Sequence, residues 1–174
     1  TVKMARVFLG LGSNMGDRLT QISQAAQALG AAPGVSVVQM ASMIETEAVG
    51  GPPQGPFLNT VVEIATTHTP THLLQLILDI ERRMGRVRTG ARNLPRPIDL
   101  DLLLYDQVVL HEPMLSLPHP RMHERRFVLE PLVQLAPDVT HPVLRETVFA
   151  LLARLPNTPQ GRLRSVEALG DIDR

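Results

Sequence analysis

Two acidic residues interrupt an apolar run in the segment RPIDLDLLLY, residues 96–105. The run predicts a buried strand, in which the side chains at i and i+2 share one face. Asp99 and Asp101 should therefore project together, with their Cα atoms about 7 Å apart. The positions expected to face the core are Ile98, Leu100, Leu102 and Leu104.

Two bare charges at that separation repel by about 2 kcal/mol at an effective dielectric of about 20, so something must offset the repulsion. One possibility is that nearby arginines, such as Arg96, pair with Asp99 and Asp101 on a solvated face. The other is Mg²⁺, which prefers carboxylate oxygens and shares its ligands with substrate phosphates. Two carboxylates on one face can also hold a pair of such ions. The spacing alone leaves both possibilities open.

Arginines are concentrated around the acid pair. Nine of the sixteen arginines lie between residues 82 and 126, against five acids. Guanidinium groups bind phosphate oxygens in a bidentate manner. Arg82 and Arg83 fit a solvated helix face, but a loop next to the acids carries Arg86, Arg88, Arg92 and Arg96. Carboxylates for Mg²⁺ beside arginines for phosphates indicate a phosphoryl-transfer site.

Composition excludes several other classes of protein. The 174 residues, 44% of them hydrophobic, suffice for a single domain, residues 1–174, with a sizeable core. A net charge of zero argues against a nucleic-acid binder. The absence of cysteine excludes thiolate metal sites, and the single lysine, Lys3, excludes a Walker A loop. We expect a cytoplasmic protein, because neither a signal-peptide pattern nor an apolar run of about 18 residues is present.

The elements that must position these residues alternate between strands and helices. Apolar patterns predict strands over residues 2–11, 35–46, 57–67 and 98–105. They predict helices over residues 17–29, 70–84, 124–135 and 148–155. Residues 108–111 should pair with the 98–105 strand as a short hairpin arm, and residues 156–174 should form a weakly ordered extension. The order β-α-β-β-α-β is typical of an α+β, ferredoxin-like antiparallel sheet with two helices on one face, decorated here by short strands and C-terminal helices.

The acidic segment and its surroundings resemble a known family. RPIDLDLLLY followed by LPHPRMHERRFVLEPL closely resembles the 6-hydroxymethyl-7,8-dihydropterin pyrophosphokinases of the folate pathway. LGLGSNMGDR, ETEAVGGPPQGPFLN and GRVR also match, in the family order, over about residues 1–155. The resemblance implies a ferredoxin-like fold. It also implies transfer of a pyrophosphoryl group from ATP to the pterin hydroxymethyl oxygen, with AMP as the other product and two Mg²⁺ ions as cofactors.

The resemblance further implies roles for individual residues. Asp99 and Asp101 would hold both metal ions, while Arg86 and Arg92 would act in catalysis by contacting phosphates. ATP would be bound by Arg88, Arg96, Ile98, His119, Arg121 and Arg125. Two phenyl rings would sandwich the pterin, whose pocket would consist of Thr46, Ala48, Val49, Phe57, Asn59 and Phe127.

The residue types of the pterin pocket suit its ligand. Phe57 and Asn59 have the same parity and should share a strand face. A flat heterocycle is well bound by an aromatic ring together with an amide that both donates and accepts. Ordinary core packing is the alternative for Phe57 and Phe127, and a polar residue near a turn is the alternative for Asn59.

Some positions depart from the family pattern. Asn93-Leu94 stands where an aromatic residue is frequent, Glu47 where proline is frequent, and His123 where a basic residue is frequent. These differences concern the closure of loops over the site.

The segment GLGSNMG looks like a phosphate loop but lacks the lysine. A glycine-rich end of a central strand favours tight packing against the neighbouring strand. Ser13 and Asn14 are candidates for supporting the site from just behind it.

Other functions are open at this point. Another Mg²⁺-dependent phosphotransferase would use the same acid pair. His119 and His123, spaced i, i+4, suit a metal-dependent hydrolase, although Pro118 and Pro120 disfavour a helix there. A ferredoxin-like RNA-binding or regulatory ligand-binding module is a further class, but RNA binders of this kind stack bases on aromatic residues of the sheet, and those here are scattered. The expected partners are ATP and the pterin, bound by a monomer, with no nucleic acid and no membrane.

Overall fold

One antiparallel sheet forms the centre of the molecule. The computed structural model describes residues 3–46, 55–85, 97–156 and 164–165. The strands are β1 (Ala5–Ser13), β2 (Val35–Met40), β3 (Ile44–Thr46), β4 (Phe57–Thr66), β5 (Asp99–Tyr105), β6 (Leu110–Glu112), β7 (Leu115–Leu117) and β8 (Arg164–Ser165). The helices are α1 (Arg18–Ala31), α2 (Pro70–Arg83), a 3₁₀ turn (Met122–Glu124), α3 (Arg126–Leu135) and α4 (Val148–Arg154).

The strands are connected in an order that differs from their order along the chain. The main sheet runs β5-β1-β4-β3-β8, with β2 also pairing to β4, and every pairing is antiparallel. β6 and β7 form a separate two-stranded sheet. The predicted combination of an antiparallel sheet with helices is confirmed.

Two apolar cores lie on the two faces of the main sheet. The first packs α1 and α2 on one face, through side chains such as Ile22 and Ile77. The second packs α3 and α4 on the other face, through Leu103 and Leu129. A fully buried Leu or Ile side chain contributes about 1.5–3 kcal/mol, so both helix pairs are held firmly against the strands.

The first two helices begin at polar residues that cap them. Asp17 accepts a hydrogen bond from Thr20 N at 3.2 Å at the start of α1. Thr69 accepts one from His72 N at 3.2 Å at the start of α2, where Pro70 takes the first helical position.

Among the residues that the structure describes, no helix combines the length and apolar character needed to cross a bilayer.

The predicted hairpin arm over residues 108–111 is wrong. Leu110–Glu112 pairs with Leu115–Leu117 and not with β5. The chain turns away from β5 at Asp106, whose φ is +45° and whose carboxylate accepts a hydrogen bond from Arg6 N at 2.8 Å. This turn directs the chain away from the outer edge of β5, where a strand pairing with β5 would have to lie.

The expected position of Leu104 is also wrong. Strict alternation places it with Leu100 and Leu102, but it packs in the second core beside Leu103. The cause is a bulge, since Phe8 pairs with Leu104 while the next residue of β1 pairs with Leu102. One extra residue on β5 reverses the alternation from that point.

Two predicted elements have different bounds in the structure. The strand expected over residues 35–46 divides into β2 and β3, with residues 41–43 between them. The helix expected from residue 124 begins at Arg126, after the 3₁₀ turn. The extension predicted over residues 156–174 lies mostly outside the described residues.

Candidate active site

The two predicted metal ligands lie on β5 opposite two glycines of β1. Asp99 pairs with Gly12 and Asp101 with Gly10, and both aspartates are half-buried. Successive pairs of this kind put Asp99 and Asp101 on the same face of the sheet. Because glycine has no side chain, the surface beside both carboxylates is free of side chains from β1.

A third carboxylate supports β5 from its edge. Glu81, near the end of α2, is 1% exposed, and its Oε2 accepts a hydrogen bond from Leu100 N at 2.7 Å. Leu100 lies between the two aspartates, so this contact holds the strand at the point where they project. No motif points to Glu81, but its spacing from Ile77 and Ile80 puts an acid on the apolar face of α2, which was a usable signal.

His119 contributes a neutral imidazole next to the acid pair. Its main-chain nitrogen donates to Leu103 O at 2.9 Å, and its Nδ1 accepts from Arg121 N at 3.2 Å. Burial, followed by the charge of Arg125, lowers the pKa of His119 to about 4, although Asp99 acts in the opposite direction. At neutral pH the proton therefore resides on Nε2, which can donate a hydrogen bond without carrying a charge.

Arg125 brings a cation close to both the acids and an aromatic ring. Its guanidinium carbon lies 5.6 Å from the centroid of the Phe127 ring. Burial lowers the pKa of Arg125, while Asp101 and, more weakly, Asp99 raise it. A cation over a ring is favourable by about 0.5–2 kcal/mol. The predicted phosphate ligand and one predicted pterin ring are thus neighbours.

The other predicted pterin residues meet where β3 pairs with β4. Thr46 pairs with Phe57 across the two strands. Asn59 is buried, and its Nδ2 donates to Thr46 Oγ1 at 3.0 Å. A Cβ placed on Gly12 would lie 2.8 Å from Asn59 Oδ1 and 3.7 Å from the Phe57 ring, so the three residues are in close contact.

Several predicted site residues lie outside the described residues. They are Ala48, Val49, Arg86, Arg88, Arg92 and Arg96. Ile98 is described and is fully buried in the first core. That Ile98 contacts ATP stays a prediction. Arg121 is exposed, with its Nε 3.4 Å from Glu124.

The histidine pair considered for a hydrolase does not form the expected helical face. His119 precedes the 3₁₀ turn, and His123 lies within it. The His123 ring packs instead against His141, with centroids 6.1 Å apart. Within the described ranges, no group of three or more His, Cys, Asp or Glu residues is placed to hold a metal ion.

Comparison with known proteins gives a consistent result. A family model described as 7,8-dihydro-6-hydroxymethylpterin-pyrophosphokinase (HPPK) matches residues 8–137. The 2-amino-4-hydroxy-6-hydroxymethyldihydropteridine pyrophosphokinase of Methylorubrum extorquens is 43% identical over 152 residues, covering 87% of this chain and 94% of that protein. The protein of the same name from Aquifex aeolicus is 38% identical, with 82% and 88% coverage.

Longer proteins also contain a similar segment. The folic acid synthesis protein fol1 of Schizosaccharomyces pombe is 39% identical over 150 residues, and this chain spans only 20% of it. A wild-type Plasmodium falciparum HPPK-DHPS structure with pterin and p-hydroxybenzoate has a TM-score of 0.69 at 17% identity, covering 88% of this chain and 43% of that one. That structural likeness concerns the fold, whereas the sequence matches cover most of the chain. The chain belongs to the 7,8-dihydro-6-hydroxymethylpterin-pyrophosphokinase family and is a pyrophosphokinase of folate biosynthesis.

Proposed function

We propose that ATP and the pterin bind side by side on the sheet face that carries Asp99, Asp101 and Asn59. The phosphates would lie above the two aspartates and the pterin above Asn59. The register of three strands is the observation that supports this most directly. Asp99, Gly12 and Asn59 are neighbours across β5, β1 and β4. Adjacent strands lie about 4.8 Å apart, so the acid and the amide are about 10 Å apart. No side chain of β1 separates them.

Members of this family use ATP, generally with Mg²⁺. Asp99 and Asp101 fit that ion, since Mg²⁺ is commonly bound by one or two carboxylates together with substrate phosphates and water. We infer that these two residues hold two ions. When bound, the metal would neutralise charge that develops on the transferred phosphates.

The side chains of the chain itself position and neutralise the reactants. Arg125 offers a fixed cation beside the acid pair, and His119 Nε2 offers an uncharged donor to the same region. Phe57 and Phe127 would stack on the pterin while Asn59 binds its edge. Arg86 and Arg92 would contact the phosphates from the segment that precedes β5. Each group acts by orientation and electrostatics, as phosphoryl transfer generally requires.

The reaction joins two bound substrates. The pterin hydroxymethyl oxygen attacks the β-phosphorus of ATP, the bond from that phosphorus to the α-phosphate oxygen breaks, and AMP leaves. The hydroxyl proton is lost to solvent. The products are AMP and the pterin diphosphate.

We also infer that the sheet is a ferredoxin-like core. The order β5-β1-β4, with β2 and β3 following β4, fits a β-α-β-β-α-β chain with α1 and α2 on one face. A monomeric state and a cytoplasmic location are further parts of the proposal.

The decisive experiment incubates the protein with Mg²⁺, ATP and 6-hydroxymethyl-7,8-dihydropterin. We expect AMP and the pterin diphosphate, while ADP would indicate transfer of a single phosphoryl group and would contradict the proposal. Asp99→Asn and Asp101→Asn should each lower turnover at least about a hundredfold because the metal site loses charge. Asp79→Asn, on the exposed side of α2, is the control and should keep the wild-type rate. A binding module would convert no ATP.

A further inference from the structure

Two polar side chains at the start of α1 lie behind the proposed active site and have no part in the mechanism above. They are Arg18 and Gln21, and at a spacing of i, i+3 they lie on the same side of the helix. The Asp17 cap fixes the point at which the helix begins. Each of the two side chains contacts a different part of the site.

Arg18 connects the two strands that carry the pterin residues. Its Nη2 donates to Glu45 Oε2 at 2.7 Å and its Nη1 to Pro56 O at 3.0 Å. Glu45 immediately precedes Thr46, and Pro56 immediately precedes Phe57. The Arg18 and Glu45 side chains are only 23% and 17% exposed, so this ion pair is better shielded than an ordinary surface pair.

Gln21 connects the turn after β1 to the segment that leads into β5. In the orientation that satisfies its hydrogen bonds, its amide nitrogen faces Ser13 Oγ at 2.9 Å, Met15 O at 2.9 Å and Pro97 O at 2.5 Å. Pro97 is two residues before Asp99. Ser13 is fully buried, so the contact lies behind the sheet surface and not in solvent.

The turn after β1 is built closely around the Gln21 amide. Gly16 has a φ of +69°, and a Cβ at that position would lie 2.7 Å from the terminal amide of Gln21. A side chain at residue 16 would therefore clash with the amide. The backbone of the turn thus packs directly on Gln21.

We propose that Arg18 and Gln21 are positioning residues, Arg18 for the pterin pocket and Gln21 for the acid pair. This inference rests on the proposed function. Neither residue would touch a substrate, so each acts through the main chain that it holds. A displacement of about 1 Å at a reacting centre can lower a rate about a hundredfold, and smaller shifts have proportionately smaller effects. One helix turn would then set both halves of the site independently.

The test for Arg18 is a separation of kinetic constants. Arg18→Met keeps the length of the side chain and removes both hydrogen bonds. We expect the KM for the pterin to rise about tenfold, with the KM for ATP and kcat within about threefold of wild type. Arg154→Met removes a matched charge from the ion pair that Arg154, the last residue of α4, makes with Glu146, and it should leave all three constants unchanged.

A double-mutant cycle identifies the path through which Arg18 acts. Glu45→Gln should raise the KM for the pterin in the same direction, and the Arg18→Met, Glu45→Gln double variant should be no worse than Arg18→Met alone. Additive effects would mean that the two residues act separately, which would contradict the proposed contact.

Gln21→Leu should change kcat and leave pterin binding unaffected, the reverse of the result expected for Arg18→Met. It keeps the shape of the side chain but removes the amide that faces Pro97 O. We expect kcat to fall about tenfold and the Mg²⁺ concentration for half-maximal rate to rise, with pterin binding unchanged. Gln107→Leu is the matched control. Gln107 is an exposed residue in the turn after β5, and its side chain donates to Thr140 O at 2.9 Å.

The pattern separates a positioning role from a structural one. Equal changes in all constants in both variants, or no change in either, would overturn the inference. If a variant fails to fold by circular dichroism, Arg18→Lys and Gln21→Glu take its place, with smaller shifts expected for the lysine and the same direction for the glutamate. Wild-type protein that produces no AMP would refute the proposed function itself, whereas active wild type with unaffected variants would refute only this inference.

Discussion

Gly12 gives the most direct test of the proposed geometry, because it lies between Asn59 and Asp99 and carries no side chain. A Cβ at this position would lie 2.8 Å from Asn59 Oδ1, while ordinary contact begins at 3.4 Å. The backbone of Gly12 is held by pairing on both sides, to Asn59 on β4 and to Asp99 on β5. In a Gly12→Ala variant the Asn59 amide must therefore move, by about 0.6 Å.

That movement affects a buried hydrogen bond. Asn59 Nδ2 donates to Thr46 Oγ1 at 3.0 Å, and both residues are less than one tenth exposed. A hydrogen bond of this kind contributes about 0.5–1.5 kcal/mol. If Asn59 also binds the pterin edge, the displaced amide should weaken pterin binding about tenfold, which corresponds to about 1.4 kcal/mol.

Gly10→Ala is a control on the same strand and the same face. A Cβ there would lie 3.7 Å from the Leu103 side chain, which is ordinary contact. Equilibrium titration of the pterin, followed by its own fluorescence, measures the affinity of both variants. We expect Gly12→Ala to bind about tenfold more weakly and Gly10→Ala to bind as wild type does. Wild-type affinity in Gly12→Ala would refute the assignment of Asn59 to the pterin edge.

Three further predictions concern other groups. The folded protein holds His119 neutral down to a pKa of about 4, whereas the unfolded chain protonates it near 6.5, so the free energy of unfolding should fall by about 2–3 kcal/mol between pH 6.5 and 4. Urea denaturation in EDTA should show a shallower fall in His119→Asn. Glu63→Ala should lower the free energy of unfolding by about 2 kcal/mol, because Glu63 is buried and bonded to two side chains, whereas Asp79→Ala, at an exposed ion pair, should lower it by less than about 1 kcal/mol. Arg125→Lys should weaken ATP binding about tenfold in calorimetric titration, since lysine lacks the planar fork that matches phosphate.

Local patterns in the sequence predicted the elements well where the position of a side chain depends only on its own strand or helix. The i, i+2 rule placed Asp99 and Asp101 together, and apolar spacing predicted a helix over residues 17–29, where α1 spans Arg18–Ala31. The rule failed at Leu104, because the bulge depends on how β1 pairs with β5. No residue on β5 alone reveals that extra position.

Contacts between distant segments were harder to predict for the same reason. Gln21 meets Pro97 across 76 positions of the chain, and nothing in either segment indicates the other. The lowered pKa of His119 likewise depends on burial in the folded state, and the sequence LPHPRMHERR does not indicate that burial. Residue types therefore indicated the chemistry, while the tertiary structure determined which groups share an environment.

The burial of successive residues along β5 supports the proposed position of the site. Leu103 and Leu104 are covered by the second core, whereas Asp101 and Asp99 are only half-buried at the end of the same face. Fully covering the acids would impose a large desolvation penalty, and leaving them in bulk water would weaken any bound ion. The glycines of β1 keep the surface beside them low enough for a ligand to approach. The substrates would then complete the layer that α3 and α4 begin, so that the acids are desolvated only when ATP and the pterin are both bound.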